Sequence, residues 1–261
     1  MQNKLKINNT LVGTTKYSMV KLDNQKGLFF FTMKTAILQS NYIPWKGYFD
    51  LINSVDVFVI YDNVQYTKND WRNRNKIVSN GKASWLTIPV QKESLAQSIR
   101  ETKIANTNWS KKHWRTIQQS YSKTPYFNKF SEQIGNIYQG FSDEILLSKI
   151  NTKLIVGICE ILSIRTKIIQ DEIFTLPDDR VDKLVEICLK TDADTYVSGP
   201  AAKSYLDVQK FNDAGIQVEW IQYDEYSEYE QRSDDFDHFV SILDLLFCYG
   251  ADFNQYLEKQ I

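Results

Sequence analysis

The chain has little cysteine and little histidine, and neither residue type is arranged as a recognisable site. Its three cysteines, Cys159, Cys188 and Cys248, are far apart and each lies in an apolar context. With two histidines in total and no CxxC, HxH or HExxH spacing, the sequence indicates no dedicated metal site. Isolated cysteines among apolar residues are typical of reduced core thiols, so we expect a cytoplasmic protein.

An excess of charge of one sign is also absent. Lysine and arginine number 31 and aspartate and glutamate 32, which gives a formal net charge of −1. A global electrostatic attraction to nucleic acid is therefore excluded, and any anion-binding site must be local. The apolar run at residues 28–31 is too short to span a membrane, and it does not follow the charged start of a signal peptide.

Residues 1–32 differ in composition from the rest of the chain. They are polar up to Gly27, whereas the sequence MKTAIL at residues 33–38 is typical of a chain start that leads directly into a strand. We interpret residues 1–32 as an upstream extension that arises from the choice of start codon and lies outside the core. The alternative is a strand or an anchor added to the fold. No proline-rich or Gly-Ser linker interrupts residues 33–261, which we predict to form a single domain.

Short β-branched runs alternate with segments of helical periodicity along the chain. This alternation predicts an α/β fold with a mostly parallel sheet and flanking helices. Asn80-Gly81 lies between two apolar runs and predicts a β-hairpin, and residues 106–162 predict a largely helical insertion. The predicted strands are residues 35–38, 55–60, 166–170, 195–198 and 216–220, with a further short strand at residues 99–104.

The most informative residues follow the first two predicted parallel strands. The segment QSNYIPWKGYF, residues 39–49, places Pro44 at the first position of a helix, and residues 61–76 form a polar and basic loop. In βαβ units, ligands bind at the carboxyl ends of strands, where helix N-termini present free N–H groups. The candidate residues at these ends are Gln39, Tyr42, Trp45, Asp62, Gln65, Lys68, Arg72, Asn73 and Arg74.

The basic part of this loop, WRNRNK at residues 71–76, suggests a phosphorylated and hydroxyl-rich ligand. An arginine fork binds a diphosphate bidentately, so we expect Arg72 and Arg74 to hold one, with Lys68 assisting. Asparagine and glutamine side chains suit sugar hydroxyls. The alternatives are a solvated surface loop and, for the aromatic residues of the segment 39–49, ordinary core packing. The residues expected to bind hydroxyls are Gln39, Gln65 and Asn73.

Ser198 and Gly199 begin a second turn between a strand and a helix. The glycine would let the backbone approach an anion, but no GxGxxG pattern is present and a purely structural turn explains it equally well. His113 lies among tryptophans on a predicted helix and is the better histidine for proton transfer, with a packed residue as the alternative. His238 has acidic neighbours, which favour its charged form. The candidate catalytic residues are Asp62 and His113.

Taken together and in this order, these motifs resemble the WbqC-like protein family. The resemblance covers residues 33–257 and rests on residues 39–49, 62–65, 71–74, 85–90, 196–202 and 241–246. It implies a role in the biosynthesis of O-antigen (lipopolysaccharide) and other surface polysaccharides, in whose gene clusters the family occurs without a settled activity. The turn at Pro44 is also similar to that of nucleotidylyltransferases, but their HxGH histidines are missing here.

The resemblance and the polar strand ends together suggest a transferase that acts on a nucleotide-linked sugar by acyl transfer to a sugar amine. Asp62 or His113 would take the proton from the attacking amine. An acyl thioester of coenzyme A or of a carrier protein is the expected co-substrate, and no tightly bound cofactor is expected. The alternatives are a Mg²⁺-dependent nucleotidyl or phosphoryl transferase that uses the helix at Pro44, and a non-catalytic binding protein of the same pathway.

Overall fold

The computed structural model describes residues 20–23, 27–30, 32–223 and 226–258. The strands in these ranges are β1 (Val20–Asp23), β2 (Gly27–Phe30), β3 (Lys34–Leu38), β4 (Val57–Ile60), β5 (Arg74–Ser79), β6 (Lys82–Thr87), β7 (Lys167–Gln170), β8 (Thr195–Ser198) and β9 (Gln217–Trp220). The helices are α1 (Lys46–Asn53), α2 (Trp109–Tyr121), α3 (Phe127–Gln139), α4 (Leu147–Ile161), α5 (Arg180–Lys190), α6 (Val208–Asp213), α7 (Ile242–Cys248) and α8 (Phe253–Glu258).

The main sheet contains five parallel strands in the order β7-β4-β3-β8-β9. The predicted α/β fold with a mostly parallel sheet is therefore confirmed. From β3, the chain adds β4 and then β7 on one side, and then crosses to add β8 and β9 on the other. The direction of winding reverses between β3 and β8, and in open parallel sheets such a reversal opens a crevice at the carboxyl ends of the two strands.

Helices cover both faces of this sheet. All four residues of β4 are buried, as expected for a strand that packs against helices on both sides. Because successive side chains point to opposite faces, Phe58 and Ile60 pack with α1, α7 and the helices of the insertion. Val57 and Val59 pack with α5 and α6 on the opposite face. The core thus consists of two apolar layers, and the sheet positions the polar strand ends between them.

The predicted hairpin and helical insertion are both present. Strands β5 and β6 pair antiparallel, and their turn has positive φ at Asn80 (52°) and Gly81 (77°). Two consecutive residues with positive φ match the twist of the strands, which explains the Asn-Gly dipeptide. Helices α2, α3 and α4 all lie between β6 and β7. The predicted strand at residues 99–104 is wrong, because this part of the chain makes only isolated bridges, such as Val90 with Ile104.

In the N-terminal segment, β1 pairs with β2 in an antiparallel ribbon that is separate from the main sheet. Residues 1–19, 24–26 and 31 lie outside the described residues, so the interpretation of residues 1–32 as an extension stays a prediction. Of the helices described, none has both the length and the apolar character needed to cross a bilayer. All three cysteines are free and buried, as predicted.

Candidate active site at the carboxyl edge of the sheet

The loop from β3 to α1 is held in a strained conformation by the hairpin. Ile43 is buried and has a φ of 35°, in a region that β-branched residues rarely occupy. The Nδ2 amide of Asn75, on β5, donates to the carbonyl oxygens of Tyr42 at 3.1 Å and of Ile43 at 2.8 Å. The Tyr42 N–H donates to the Trp71 carbonyl at 2.9 Å. Asn75 and Trp71 therefore hold the β3–α1 loop in this conformation without a ligand.

Arg72 points along this loop toward the end of β3. Its guanidinium donates to the side-chain oxygens of Asn41 and, at 3.3 Å, of Gln39. The side chain of Arg72 is 16% exposed, and the nearest carboxylate oxygen, on Asp70, lies 3.8 Å away. Two neutral amides thus orient the guanidinium while its charge is only partly compensated, an arrangement that suits an incoming anion. The structure brings Gln39 and Arg72 together, as their prediction as substrate-binding residues requires.

Asp62 lies two residues beyond the end of β4 and is 1% exposed. One carboxylate oxygen accepts the N–H of Ser40 at 2.8 Å, and the other accepts the hydroxyl of Ser148 on α4. The Asp62 N–H in turn donates to Asp171, the residue that follows β7. Asp62 therefore connects the ends of β3 and β4 to the insertion, and both of its oxygens already have a donor inside the protein.

Asn151, one turn after Ser148 on α4, was missed by the sequence analysis. It is fully buried, and its Nδ2 donates to the Arg72 carbonyl at 2.8 Å and to the Ser40 hydroxyl at 3.2 Å. Its Oδ1 has no hydrogen-bond partner among the residues that the structure describes. A buried acceptor without a donor is costly, so Oδ1 is available to a water molecule or a ligand group. In the sequence, the only sign of a role for Asn151 is that it lies three residues after Ser148 and so on the same face of a predicted helix.

Ser198 and Gly199 lie opposite β3 across the crevice. The register pairs Ala36 with Val197, so Gly199 lies level with Leu38, one residue before Gln39. Tyr223 packs on Gly199, with its hydroxyl oxygen 3.6 Å from the point where a Cβ would be. The structure therefore places the second predicted turn at the same crevice as Gln39 and Arg72.

Trp45 forms an aromatic roof with Tyr223 and Phe239 beside the crevice. Its ring centroid lies 5.1 Å from that of Tyr223 and 5.2 Å from that of Phe239. The indole lies so close to Gly47 that a Cβ there would be 2.4 Å from a ring carbon. This contact explains why glycine follows Lys46 in the first turn of α1. Trp45 therefore lies in aromatic packing with Tyr223, which contacts Gly199, and its predicted contact with a substrate stays a prediction.

Lys46, the first residue of α1, is the least expected side chain of this region. It is 2% exposed, and its ammonium donates to Nδ1 of His238 at 3.0 Å. The rings of four aromatic residues surround Nζ at centroid distances of 5.1 to 5.9 Å. Burial lowers the pKa of Lys46 to about 8. We call the four residues the aromatic cage: Tyr226, Tyr229, Phe236 and Tyr256.

The predicted preference of His238 for its charged form is wrong. Burial lowers the pKa of His238, and the neighbouring Lys46 ammonium lowers it further, against the opposing effect of Glu228 and Asp237. The Asp237 carboxylate contacts Lys76 instead, at 2.5 Å. Acidic neighbours in the sequence therefore misled the prediction, because the group in contact with the ring is a cation 192 residues away.

Tyr42 and His113 lie in the aromatic interior. The Tyr42 hydroxyl is hydrogen-bonded to Nδ1 of His113 at 2.8 Å and to the hydroxyl of Tyr138 at 2.7 Å. His113 is 9% exposed, and burial lowers its pKa to about 4. A hydrogen bond with the backbone of Thr87 acts in the opposite direction and raises the pKa. The structure therefore places both side chains in a buried network with α2 and α3 rather than in the crevice.

The remaining predicted residues are not brought to one point. Gln65 is exposed and donates to the Leu95 carbonyl at 2.6 Å, and Lys68 is exposed on the same loop. Asn73 is buried and donates to the Ile88 carbonyl at 2.8 Å. The Arg74 guanidinium lies 4.3 Å from the centroid of the Trp85 ring. Since side chains alternate along β5, Arg74 faces away from the interior that Asn73 and Asn75 occupy.

Comparisons with known proteins agree with the arrangement of motifs. The chain belongs to the WbqC-like protein family, which matches residues 39–256. It is also 45% identical over 226 residues to the uncharacterized protein Rv1507c of Mycobacterium tuberculosis, and the match covers 86% of this chain and 97% of that protein. No solved structure matches the chain significantly.

Proposed function

We propose that the chain is a cytoplasmic transferase that binds a nucleotide-linked sugar in the crevice between β3 and β8 and acylates an amine of that sugar. The observation that carries this proposal is the reversal of strand order between β3 and β8. Open parallel sheets bind nucleotides at such a reversal. The surface-polysaccharide context that the family resemblance implies supports a sugar as the group attached to the nucleotide.

In this proposal Arg72 binds the diphosphate. Its guanidinium is already oriented by Gln39 and Asn41, so little side-chain entropy is lost when the anion binds. The polar atoms near it suit the hydroxyls of a sugar, with Asn151 Oδ1 as an acceptor that has no donor among the described residues. Gly199 lets the backbone approach the ligand from β8.

The proposed reaction is direct attack of the sugar amine on an acyl thioester of coenzyme A or of a carrier protein. A carbon–nitrogen bond forms, the carbon–sulfur bond breaks, and the thiol leaves. Burial raises the pKa of Cys159 and of Cys248 to about 12 and also raises that of Cys188, so these thiols do not suit a covalent acyl intermediate. The proton from the amine would reach Asp62 through the Ser148 hydroxyl, which donates to it.

A thermal-shift panel of nucleotides, nucleotide-linked sugars and acyl thioesters tests this proposal. We expect nucleotide-linked amino sugars to raise the melting temperature, since a ligand at 100 times its Kd adds about 2.7 kcal/mol of stability. Mass spectrometry should then detect the acylated sugar when a thioester is added. Stabilisation only by a nucleoside triphosphate with Mg²⁺ would favour nucleotidyl transfer, and no response to any compound would favour a binding protein without a small-molecule substrate.

Arg72→Ala provides the residue-level test. Loss of a charge-assisted hydrogen bond should weaken ligand binding by roughly 1.5 to 3 kcal/mol, or about ten- to a hundredfold in Kd. Arg115→Ala is the matched control, because it removes the same side chain from an exposed position on α2. If Arg72→Ala binds the ligand normally but melts far lower than Arg115→Ala, Arg72 only supports the loop and the assignment is wrong.

A further inference from the structure

The buried ammonium of Lys46 has no carboxylate as a direct partner. Among the residues that the structure describes, no salt bridge reaches it. Asp237 contacts Lys76, and the buried Asp244 accepts from Tyr121, Tyr229 and Gln231. Burying a charge without a counter-ion is unfavourable, so such an arrangement is unusual unless the charge serves a purpose.

The aromatic cage supplies part of the stabilisation that Lys46 needs. The Nζ atom lies 5.1 Å from the centroid of Phe236 and 5.4 Å from that of Tyr226, distances at which the negative face of a ring attracts a cation. An ammonium group has three donors, however, and His238 takes only one of them at 3.0 Å. The charge is thus held in place, and the carboxylates that act on it, those of Asp244, Asp237 and Glu228, are not in direct contact with it.

The contact with Lys46 determines which nitrogen of His238 carries a proton. An ammonium group can only donate, so Nδ1 must accept and the neutral ring carries its hydrogen on Nε2. Phe236 packs against the ring at a centroid distance of 4.6 Å and fixes its orientation. His238 is partly exposed, whereas Lys46 is buried behind it. The pair therefore combines a neutral N–H donor with a fixed positive charge.

We propose that His238 and Lys46 form an oxyanion-binding site, in which Nε2–H of His238 donates to a phosphate or carboxylate oxygen of a ligand. The neutral ring donates from Nε2 without first gaining a proton, and the ammonium, whose Nζ lies 3.0 Å from Nδ1, adds electrostatic attraction. The site lies at the outer end of the aromatic roof, since Phe239 follows His238 and contacts Trp45 at 5.2 Å. It is separate from Arg72 and does not depend on acyl transfer.

Nitrogen-15 NMR of histidine-labelled protein tests the donor directly. The chain has two histidines, so His113 serves as an internal reference in each spectrum. At neutral pH we expect His238 to be neutral with its hydrogen on Nε2, and Lys46→Met to raise its pKa and remove the preference for this tautomer. A His238 ring that is charged at neutral pH, or that carries its hydrogen on Nδ1, would refute the proposal.

Titration with inorganic phosphate, and separately with acetate, tests binding and distinguishes the two sources of the oxyanion. We expect at least one of them to shift the His238 signals with saturation at constant ionic strength, and His113 to be unaffected. Lys46→Met should weaken the effect at least tenfold. Lys111→Met, the same substitution at an exposed position on α2, is the matched control and should leave the shift unchanged. His238→Gln, at a partly exposed position, confirms the signal assignment if Lys46→Met does not fold. The proposal would be overturned if neither anion shifts the His238 signals with saturation, or if the anion binds equally well to Lys46→Met.

Discussion

Asn75 and Ile43 lie on different elements, and the hydrogen bond between them fixes the conformation of the candidate site. The 2.8 Å bond from Asn75 Nδ2 to the Ile43 carbonyl holds a β-branched residue at a φ of 35°. Strain of this kind persists only where the surroundings determine the backbone. The hairpin therefore supports the β3–α1 loop, and the position of Gln39 and Asn41 depends on a residue of β5.

Asn75→Ala should destabilise the protein by about 1 to 3 kcal/mol, because two buried carbonyl groups lose their donor. Urea unfolding followed by circular dichroism measures this difference. Asn53→Ala is the control, since the hydrogen bond of Asn53 to Asn254 is exposed and its loss should change stability little. Equal effects of the two substitutions would mean that Asn75 does not hold the loop.

Gly47→Ala should also be unfavourable, against the usual trend in helices. Alanine normally stabilises a helix relative to glycine by about 1 kcal/mol. Here the added Cβ would lie 2.4 to 2.8 Å from three ring atoms of Trp45, so the indole must move away from Tyr223 and Phe239. We expect a net loss of about 1 to 3 kcal/mol and altered tryptophan fluorescence.

Gly140→Ala is the matched control for this substitution. At Gly140 the nearest atom to an added Cβ is a backbone oxygen at 3.4 Å, an ordinary contact, and φ is −69°. Stability should therefore stay the same or rise slightly. A Gly47→Ala variant as stable as Gly140→Ala, with unchanged fluorescence, would show that Trp45 is not held in the roof.

The strand ends could be predicted from the sequence, and the contacts between them could not. Gln39, Asp62 and Ser198 each follow a β-branched run, which is a local pattern, and the Asn80-Gly81 turn depends only on its two residues. That β3 and β8 lie next to each other depends on the order of all five strands in the sheet. The contact of Lys46 with His238 joins residues 192 positions apart. Local periodicity contains no information on either relationship.

Burial, which the sequence does not show, sets the surroundings of several predicted site residues. A histidine in a sequence near lysine and tryptophan, such as His113, reads as a possible base, yet its pKa falls to about 4 once it is buried. The same reasoning applies to Asn73, which was predicted from its polarity to contact a ligand and which contacts the Ile88 carbonyl. Side chains alternate between the two faces of β5. Whether a polar residue there faces solvent therefore depends on the residue at which the strand begins.

The low pKa of His113 predicts a specific dependence of stability on pH. Its folded-state pKa of about 4 lies below the usual 6.5, so the unfolded chain binds the proton more readily. The contribution is fully present above pH 6.5 and is lost as pH falls toward 4, by about 2 kcal/mol between about pH 7.5 and about pH 5. His113→Gln should be less stable than wild type at the higher pH, and the difference should shrink at the lower pH. A constant difference in urea unfolding would contradict this account.

The three cysteines should be unreactive in the folded protein. Burial protects Cys159, Cys188 and Cys248 and raises the pKa of each thiol, which leaves little thiolate at neutral pH. Under native conditions we expect labelling by iodoacetamide to be slow, and after denaturation to be complete at all three. Rapid native labelling of one cysteine, located by peptide mass spectrometry, would identify an accessible thiol and reopen a covalent mechanism.

Removal of residues 1–32 should leave a folded protein with a cooperative thermal transition. Among the residues that the structure describes, Met33 is the first whose backbone is bonded to the main sheet: its N–H donates to the Asp194 carboxylate at 3.0 Å and its carbonyl accepts from Asp194 and Thr195. A chain that starts at Met33 would place its terminal ammonium beside that carboxylate and keep the contact. A second truncation that also removes residues 33–36 is the control. It deletes most of β3, the central strand, and should abolish the transition. If instead the first truncation alone aggregates, residues 1–32 belong to the core and their interpretation as an extension is wrong.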